Sequence, residues 1–510
     1  MISQQKHLFP LSEGGSKTSS FFWLMVSCLN VLLLFQLIPT SMPLFAAEAG
    51  DISSYEPVSR SVMAISEESE PVVDDATQTV DERLLVLLKE ANVTQLDLGP
   101  MPDEHKVKLG EALFFDKILS GNQDISCATC HYPTFHSGDA LSLSVGTGGT
   151  GLGPEREIGH ERDFVPRNAT ELFNRGSPEW ITMFWDGRIS GSVEEGFDSP
   201  AEEDLPAGLD NILAAQAMFP VTSRDEMLGE EEDLTISGEI NELAMIEDDD
   251  EYDDKPEHFV AIWAQLMVRL RDIPDYQPLF QAAYPDVAQE ALGFEHVANA
   301  LAAYQIAAFS FDDSPWDRYL AGHHEALSPE AKAGALLFYG KEGCADCHSG
   351  NLMTDQAYHN LAVPQSGPGK GRRYGVDPGH FLETENNEDR FGFRTPPLRN
   401  VTLTGPWFHN GAYTSLEGAV RHHLDPKQGL ATYETNQLDG SLEGEYRVTE
   451  KSALGIMMNL DPLLSTPLEL TDEEMNDLLT FLESLTSPSA KKLDELVKVP
   501  DSVPSGLAVD

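Results

Sequence analysis

The sequence predicts a mainly α-helical protein built from two similar halves, and three observations lead to this prediction. The pattern Cys-x-x-Cys-His occurs twice, at residues 127–131 and 344–348. A related helical segment precedes each copy, at 109–116 and 333–340. Apolar residues also recur at helical spacing in other segments, among them 81–90, 258–271 and 294–311. Duplication of one unit in this way indicates two domains of the same type.

Each copy supplies two thiols and one imidazole at the spacing that covalent haem attachment requires. The thiols add to the two vinyl groups of a protoporphyrin, and the histidine then lies under the iron as a ligand. A zinc knuckle would instead combine two Cys-x-x-Cys pairs in one small module, whereas these copies lie far apart in the chain. The sequence therefore predicts two c-type haems. Their residues are Cys127, Cys130 and His131, and Cys344, Cys347 and His348.

The N-terminal segment is typical of a signal peptide, and we expect it to cover residues 1–49. An apolar run at 21–38 follows two lysines and precedes small residues at 46–49. The run is also long enough to span a bilayer, so cleavage and retention as an anchor both stay open. Removal of the leader would remove Cys28, the one cysteine outside the haem motifs, as expected for an oxidising compartment. The sequence thus predicts a periplasmic protein.

The charge of the chain restricts its partners. The 510 residues include 85 acidic and 33 basic side chains, for a net charge of −52. Such a charge argues against nucleic acid and anionic membranes. It is compatible with a basic redox partner and equally with a salty habitat.

The sequence predicts five segments, of which the leader at 1–49 is the first. Residues 50–80 are acidic and without periodicity, which predicts a flexible tether. We expect an N-terminal haem domain at 81–320, a C-terminal haem domain at 321–490 and a tail at 491–510. Long acidic runs at 225–257 predict a solvated surface insertion, with a docking patch as the alternative.

Several local signals predict individual elements. Helical periodicity covers residues 81–90, 258–271 and 294–311, and a Gly-, Ser- and Thr-rich loop at 133–156 is expected over the first haem. Ser328 before Pro329 predicts a helix start in the second domain. Thr471 and Glu474 form a predicted capping box for the final amphipathic helix.

Six further motifs carry a resemblance to a known family. They are Leu-Gly-x-x-Leu-Phe-Phe-Asp at 109–116, Arg-Asn at 167–168, Phe-Trp-Asp-Gly-Arg at 184–188, Asp-Arg-Tyr-Leu at 317–320, Thr-Pro-Pro-Leu-Arg-Asn at 395–400 and Pro-Trp-Phe-His-Asn-Gly at 406–411. With both haem motifs, residues 105–485 resemble the diheme cytochrome c peroxidase and MauG family, MbnH-like members included. The resemblance implies two cytochrome-c-like domains, each with one covalent c-type haem, and haems that face the domain interface.

The resemblance also implies roles for two side chains. In that family peroxide reacts at the N-terminal haem, and the C-terminal haem relays or stores oxidising equivalents. A tryptophan between the haems matches Trp185. The family's distal glutamate lies in a Pro-x-x-x-x-x-Glu-Met segment, which matches Pro220 to Met227 and so indicates Glu226. A positioned carboxylate of this kind moves a proton between the two peroxide oxygens during cleavage.

A calcium ion is the third implied cofactor. The family holds Ca²⁺ between its domains with one asparagine side chain and two backbone carbonyls, and the matching positions are Asn168, Thr404 and Pro406. Ligation by oxygen alone suits this cation.

The sequence departs from the family at three places. Many of these peroxidases carry a removable histidine over the peroxidatic iron, where this chain has Thr147. The expected glutamine after the tryptophan motif is missing, with Glu194 and Glu195 nearby. Extra residues also precede Pro220, which weakens the alignment of Glu226. We expect an open first haem that reacts without prior reduction, since the remaining ligand candidates there are His136 and His160.

The helix after His409 supplies the proposed distal ligand of the second haem. A Thr414–Glu417 capping box is expected to start it, and helical spacing then directs His423 to the core and His422 away from it. In the family the distal ligand stands fourteen residues after the matching histidine, which here is His423. The alternative is a hydrogen-bonded His423 with a methionine ligand, from Met457 or Met458.

These observations predict a periplasmic diheme oxidoreductase that uses hydrogen peroxide. As a peroxidase it would take electrons from a small cytochrome or copper protein. As a MauG- or MbnH-like oxidase it would oxidise aromatic side chains of a partner protein. A pure electron carrier is the third alternative, and both of its irons would be six-coordinate. No nucleic acid partner is expected, and formation of a homodimer stays open.

Overall fold

The structure is a computed structural model that describes residues 78–246, 256–340, 342–370, 376–438, 440–442 and 444–510. The predicted leader and nearly all of the tether, residues 50–77, lie outside the described residues. Within the described ranges, none of the helices combines the length and the apolar character needed to cross a bilayer. The described residues all belong to one compact unit.

Helices provide most of the regular structure. They are α1 (Val80–Glu90), α2 (Glu104–Phe115), α3 (Cys127–Cys130), α4 (Ile212–Ala217), α5 (Pro256–Asp272), α6 (Tyr276–Ala283), α7 (Phe294–Phe309), α8 (Pro315–Leu320), α9 (Pro329–Tyr339), α10 (Phe381–Thr384), α11 (Leu416–Leu424), α12 (Pro426–Ala431), α13 (Glu450–Met458), α14 (Asp472–Ser484) and α15 (Leu493–Leu496). A π-helical turn covers Arg224–Leu228.

Two small antiparallel sheets complete the described regular structure. The first contains β1 (Thr182–Met183), β2 (Ile189–Ser192) and β3 (Gly196–Asp198) in that order. The second pairs β4 (Tyr358–His359) with β5 (Phe393–Arg394). The first sheet contains residues on both sides of the Trp-Asp-Gly-Arg motif, and β1 pairs with β2 across it in the register Met183 to Ile189.

A glycine allows the main helix crossing in each half of the chain. In the first half α2 crosses α7, and a Cβ atom on Gly110 would lie 1.9 Å from the carbonyl oxygen of Ala300. In the second half α9 crosses α14, and a Cβ atom on Gly334 would lie 2.0 Å from the carbonyl oxygen of Asp477. Both glycines therefore permit a backbone approach that a larger residue would prevent. The repeated helix before each haem motif thus has the same packing role in both halves.

The structure has two large hydrophobic clusters, one in each half of the chain. Each terminal segment, however, packs in the cluster of the other half. Helix α1 places Leu84 and Leu88 in the cluster that contains Trp316, Phe338 and Phe481. The C-terminal residues 490–503 instead join the cluster around α2 and α7. Each terminal segment therefore packs on the half that is remote from it in sequence. The limits of the two haem domains stay a prediction.

The acidic segment after Glu226 is more closely attached than a solvated insertion would be. Residues 230–232 are exposed as expected. Leu228, Asn241 and Leu243 are nevertheless fully buried, and Arg162 forms an ion pair with Asp233. Apolar anchors at both ends thus hold residues 228–243 on the first half. The acidic runs at 248–254 lie outside the described residues.

Local start signals were predicted with mixed success. Ser328 accepts a hydrogen bond from the Ala331 N–H at the start of α9, as predicted. Thr471 and Glu474 form both bonds of the capping box that starts α14. The predicted Thr414 box is wrong, because Ser415 is the N-cap of α11 and accepts from the Gly418 N–H.

Candidate functional site

The first haem motif forms the short helix α3, and its histidine keeps one ring nitrogen available to bind a metal. Cys127 and Cys130 are the ends of this helix, and their thiols have no disulfide partner. His131 Nδ1 lies 3.0 Å from the carbonyl oxygen of Ser137. A carbonyl only accepts, so Nδ1 carries the proton and Nε2 keeps the lone pair. Metal-binding histidines commonly have this arrangement.

A glycine-rich loop packs on the segment that carries Glu226. The Thr147 N–H donates to the Glu226 carbonyl at 2.9 Å, and the Thr147 hydroxyl donates to Asp124 at 2.7 Å. A Cβ atom on Gly146 would lie 1.9 Å from the Asp225 carbonyl oxygen, so this contact requires glycine. The hydroxyl of Thr147 is thus held by a carboxylate.

Buried Arg156 holds the same loop in shape. Its guanidinium donates to the carbonyls of Val145 and Gly146, both at 2.7 Å, and to that of Gly151 at 2.9 Å. The sequence analysis missed this residue. An isolated arginine between glycines was the available signal, because such a loop lacks internal hydrogen bonds and needs a multidentate donor.

Glu226 lies in a partly buried position close to the first haem motif. Burial raises the pKa of its carboxyl group, while the Arg188 guanidinium lowers it and Asp225 raises it further. Burial also raises the pKa of the Cys130 thiol, and the charge of Glu226 adds to that shift. The carboxyl group of Glu226 is therefore close enough to Cys130 for its charge to act on that thiol.

The other polar candidates around the first motif point elsewhere. Glu194 and Glu195 are exposed at the β2–β3 turn. His160 is 91% exposed and pairs with Glu161. His136 Nδ1 faces the carbonyl of Ala490 at 3.3 Å. Within the described residues, Glu226 is therefore the best placed of the carboxylates that the sequence singled out.

Trp185 lies where segments of both halves meet. Its indole N–H donates to the Asn168 carbonyl at 3.0 Å, and its own carbonyl accepts from the Arg394 N–H at 2.8 Å. The Asn168 N–H in turn donates to the carbonyl of His409 at 2.7 Å. One hydrogen bond thus fixes the buried indole ring, and the other fixes the backbone that carries it.

A buried charge network lies directly beside Trp185. Arg167 donates to both carboxylate oxygens of Asp377, at 2.7 and 2.9 Å, and also to Asp186. Although burial alone would raise the pKa of Asp186, Arg167 and Arg188 hold it below the ordinary value. The sequence analysis missed Asp377, since it lies 210 positions from Arg167 in no recognised motif. The network joins the Trp-Asp-Gly-Arg segment to the second half of the chain.

The second haem motif repeats the arrangement of the first. Cys344 and Cys347 have no disulfide partner, and His348 Nδ1 lies 3.2 Å from the carbonyl oxygen of Met353. Its Nε2 is again left as the metal-binding nitrogen. Burial lowers the pKa of His348 to about 4, so the imidazole is neutral at neutral pH, as a ligand must be.

His423 faces His348 at a separation that suits one metal between two imidazoles. The two ring centroids are 6.2 Å apart. Because a metal–imidazole bond is about 2 Å long, two rings on opposite sides of one metal have centroids roughly 6 Å apart. His423 Nδ1 lies 2.8 Å from the Ala419 carbonyl, and Phe408 stacks on the ring at 5.2 Å. The residues present therefore fit a haem held from both sides.

The expectation that His422 points away from the core is wrong. Only 1% of this residue is exposed. Its Nδ1 accepts from the Tyr413 hydroxyl and its Nε2 donates to the Leu361 carbonyl, both at 2.8 Å. Because these two bonds satisfy both ring nitrogens, His422 can be buried, although helix periodicity alone predicts an exposed position. The methionine alternative finds little support at Met458, which is 77% exposed.

Comparison with known proteins identifies the family. A model of the di-haem cytochrome c peroxidase family matches residues 104–325. The methylamine utilization protein MauG of Methylorubrum extorquens is 30% identical over 400 residues, which cover 78% of this chain and 83% of that protein. The chain belongs to the di-haem cytochrome c peroxidase and MauG family. It is therefore an oxidoreductase of the diheme peroxidase type, and the family implies two c-type haems.

Two further relatives show how far the similarity extends. Cytochrome c551 peroxidase of Pseudomonas aeruginosa is 30% identical over 329 residues, covering 64% of this chain and 74% of that one. Among solved structures, a MauG-like protein associated with microbial copper homeostasis is 26% identical with a TM-score of 0.51, covering 78% of this chain and 94% of that one. The similarity therefore includes both haem motifs and the fold around them.

The positions predicted to bind calcium surround a small cavity. Asn168, Thr404 and Gly405 line a space of about 10 Å³, with Asp139 and Glu171 also at its wall. The Asn168 amide nitrogen donates to the carbonyls of residues 141 and 142, at 2.9 and 3.2 Å. This use of the nitrogen leaves the amide oxygen available to a cation. Pro406 follows the cavity-lining Gly405 through a cis peptide bond.

Proposed function

We propose that hydrogen peroxide reacts at the first haem group and that Glu226 moves the proton which O–O cleavage requires. When bound, the haem supplies an iron that exchanges electrons. Cys127 and Cys130 would attach it, and His131 would bind it through Nε2. The environment of Glu226 carries this proposal: its partly buried carboxyl group acts electrostatically on Cys130, and its backbone carbonyl accepts from Thr147, whose hydroxyl donates to Asp124.

The environment of Glu226 suits proton movement in both directions. Burial raises the pKa of Glu226 above the ordinary value of a glutamate, and the nearby Arg188 limits that rise. A carboxyl group with such a pKa takes a proton from one peroxide oxygen and returns it to the other. Its segment is fixed, because the Glu226 carbonyl accepts from the Thr147 N–H.

Trp185 is the proposed relay between the first and second haem groups. Its ring is buried, and hydrogen bonds join it to Asn168 and Arg394 from opposite halves. A fixed aromatic ring at this meeting point shortens the path for an electron. Arg167 beside it joins the two halves, because it donates both to Asp186 in the first half and to Asp377 in the second.

Cys344 and Cys347 would attach the second haem, and His348 and His423 would bind it from opposite sides. Two imidazoles give a lower reduction potential than one imidazole and one thioether. This ligand set makes the second group a poorer acceptor from ordinary cytochromes or copper proteins. The geometry of His423 therefore favours, as a second candidate, a MauG- or MbnH-like oxidase that modifies aromatic residues of a partner protein. An electron carrier without peroxidase activity would not need Glu226.

The remaining parts of the proposal concern calcium and location. We propose that a calcium ion binds at the cavity lined by Asn168 and Thr404, with the Asn168 side chain and the backbone carbonyls of Thr404 and Pro406 as ligands. The oxygen-rich lining supports this cation. Export to the periplasm is supported by the two c-type attachment motifs and by the apolar segment at 21–38.

Peroxide-driven oxidation of a donor tests these roles. Haem-loaded protein is mixed with H₂O₂ and a reduced small cytochrome, copper protein or aromatic protein substrate, and oxidation of each is followed. We expect Trp185→Phe to slow donor oxidation while peroxide is still consumed. Trp180→Phe is the matched control, because Trp180 is also buried and also donates to a carbonyl, that of Asn174. Equal rates in both variants would contradict the relay.

A further inference from the structure

Three aromatic rings form a nearly parallel stack in the second hydrophobic cluster. Trp316 lies between Tyr339 and Tyr319, with ring centroids 5.8 Å away on both sides. The angles between the ring planes are 14° to Tyr339 and 6° to Tyr319. Helices α8 and α9 supply the rings, and Trp316 is fully buried. The three rings are thus buried next to one another.

The inner end of the stack lies close to the second haem position. Tyr339 contacts Phe338 at 5.0 Å between centroids, and the Phe338 ring faces the proposed ligand His348 at 6.5 Å. Electronic coupling falls steeply with distance, so neighbouring rings divide one long transfer into short ones. One phenylalanine ring therefore separates the stack from the imidazole under the second haem.

The outer end of the stack reaches a proton acceptor near the surface. The Tyr319 hydroxyl donates to Asp81 Oδ1 at 3.0 Å, and Lys332 binds the same carboxylate at 2.8 Å. The Asp81 side chain is 32% exposed. By contrast, the Trp316 indole nitrogen and the Tyr339 hydroxyl have no hydrogen-bond partner among the described residues. Of the three rings, Tyr319 is therefore the one with a base placed to take its proton upon oxidation.

We propose that Tyr339, Trp316 and Tyr319 carry oxidising equivalents from the second haem toward the surface, and that Tyr319 is the residue oxidised. This inference rests on the proposed reaction with peroxide, which supplies the oxidant. With the second haem group bound, one electron would leave the Tyr319 phenol and pass inward through Trp316 and Tyr339 toward that group, which the reaction with peroxide leaves short of an electron. The phenolic O–H bond breaks, and its proton forms an O–H bond on Asp81. A one-electron donor at the surface then returns the electron, and Asp81 returns the proton.

Freeze-quench electron paramagnetic resonance of the haem-loaded protein after mixing with H₂O₂ tests this relay. We expect a tyrosyl radical signal in the wild type and its loss in Tyr319→Phe, which keeps the stacked ring but has no hydroxyl group. Asp81→Asn should also lose the signal, because the amide accepts a hydrogen bond but not the proton. Tyr284→Phe is the control, since the buried Tyr284 donates only to the His296 carbonyl.

The readouts separate this relay from the reaction on which it depends. Peroxide consumption and haem content are measured on each sample. If the wild type consumes no peroxide, the proposed function is wrong. If it consumes peroxide, a tyrosyl signal that persists in Tyr319→Phe, or is absent from the wild type, overturns the relay. Loss in Tyr319→Phe and Asp81→Asn with unchanged peroxide consumption, and retention in Tyr284→Phe, supports it.

Discussion

Replacement of Glu226 by glutamine removes a proton carrier with little change of shape. Glutamine has the same length, and the backbone bond from Thr147 to position 226 does not involve the side chain. General acid–base groups contribute about 10²- to 10⁴-fold to a rate. At about 1.4 kcal/mol per factor of ten, we expect the barrier to peroxide cleavage to rise by roughly 3 to 5 kcal/mol.

Stopped-flow absorbance of the haem bands measures this rate as a function of pH. The carboxylate form of Glu226 accepts the peroxide proton, and burial raises the pKa of this group above its ordinary value. The wild-type rate should therefore fall as the pH drops through this raised pKa. Glu226→Gln should lose this acidic limb, because an amide does not titrate in the range.

Glu111→Gln is the matched control for this experiment. Glu111 is a partly buried carboxyl of the first half whose pKa is also raised by burial, but it lies on α2. We expect its variant to keep both the rate and the pH dependence. A haem-loaded Glu226→Gln protein with the wild-type rate would refute the assignment of Glu226.

The other predictions concern the second haem, the buried network and calcium. His423→Ala should convert the second haem from low to high spin in the electron paramagnetic resonance spectrum, whereas His422→Ala should not. A sulfur-to-iron charge-transfer band in the absorbance spectrum that survives in His423→Ala would contradict the ligand assignment. Asp377→Ala should lower the free energy of unfolding by about 3–5 kcal/mol in a denaturant titration, because it leaves Arg167 with uncompensated buried charge; a change below about 1 kcal/mol, typical of surface positions, would contradict this account. A calcium chelator should lower the melting temperature of the wild type more than that of Asn168→Ala, and equal shifts would argue against the calcium site.

Sequence patterns predicted the parts of the fold that depend on local chemistry. The helix before each haem motif was recognised from its repeated composition, and the structure shows why it repeats, since Gly110 and Gly334 each allow a close helix crossing. Ser328 and Thr471 were correct as helix starts because a cap depends on residues three positions apart.

Features that depend on contacts between distant segments were not predictable in the same way. His422 is buried because Tyr413 and Leu361 satisfy both of its ring nitrogens, and the bond to Leu361 spans 61 positions. Asp377 joins the buried network from a segment without a motif. Helix α1 packs on α9 although it was expected in the first half. Periodicity identifies an apolar face but not the surface that covers it.

The candidate site shows the same division. The two haem motifs and the spacing from His409 to His423 were evident along the chain, and the structure brings His423 opposite His348. The role of Arg156 was not evident from the sequence, because its hydrogen bonds to Val145 and Gly151 exist only after the glycine-rich loop has folded back on itself.

Reaction of the fully oxidised, haem-loaded protein with one equivalent of H₂O₂ tests the central claim most directly. Because the Thr147 hydroxyl donates to Asp124, we propose that Thr147 does not bind the first haem group, which would then be open on the side of Glu226. We therefore predict an immediate change in the haem absorbance on mixing, without any reductant. A protein that reacts only after one-electron reduction, or does not react at all, would contradict an open peroxidatic haem beside Glu226.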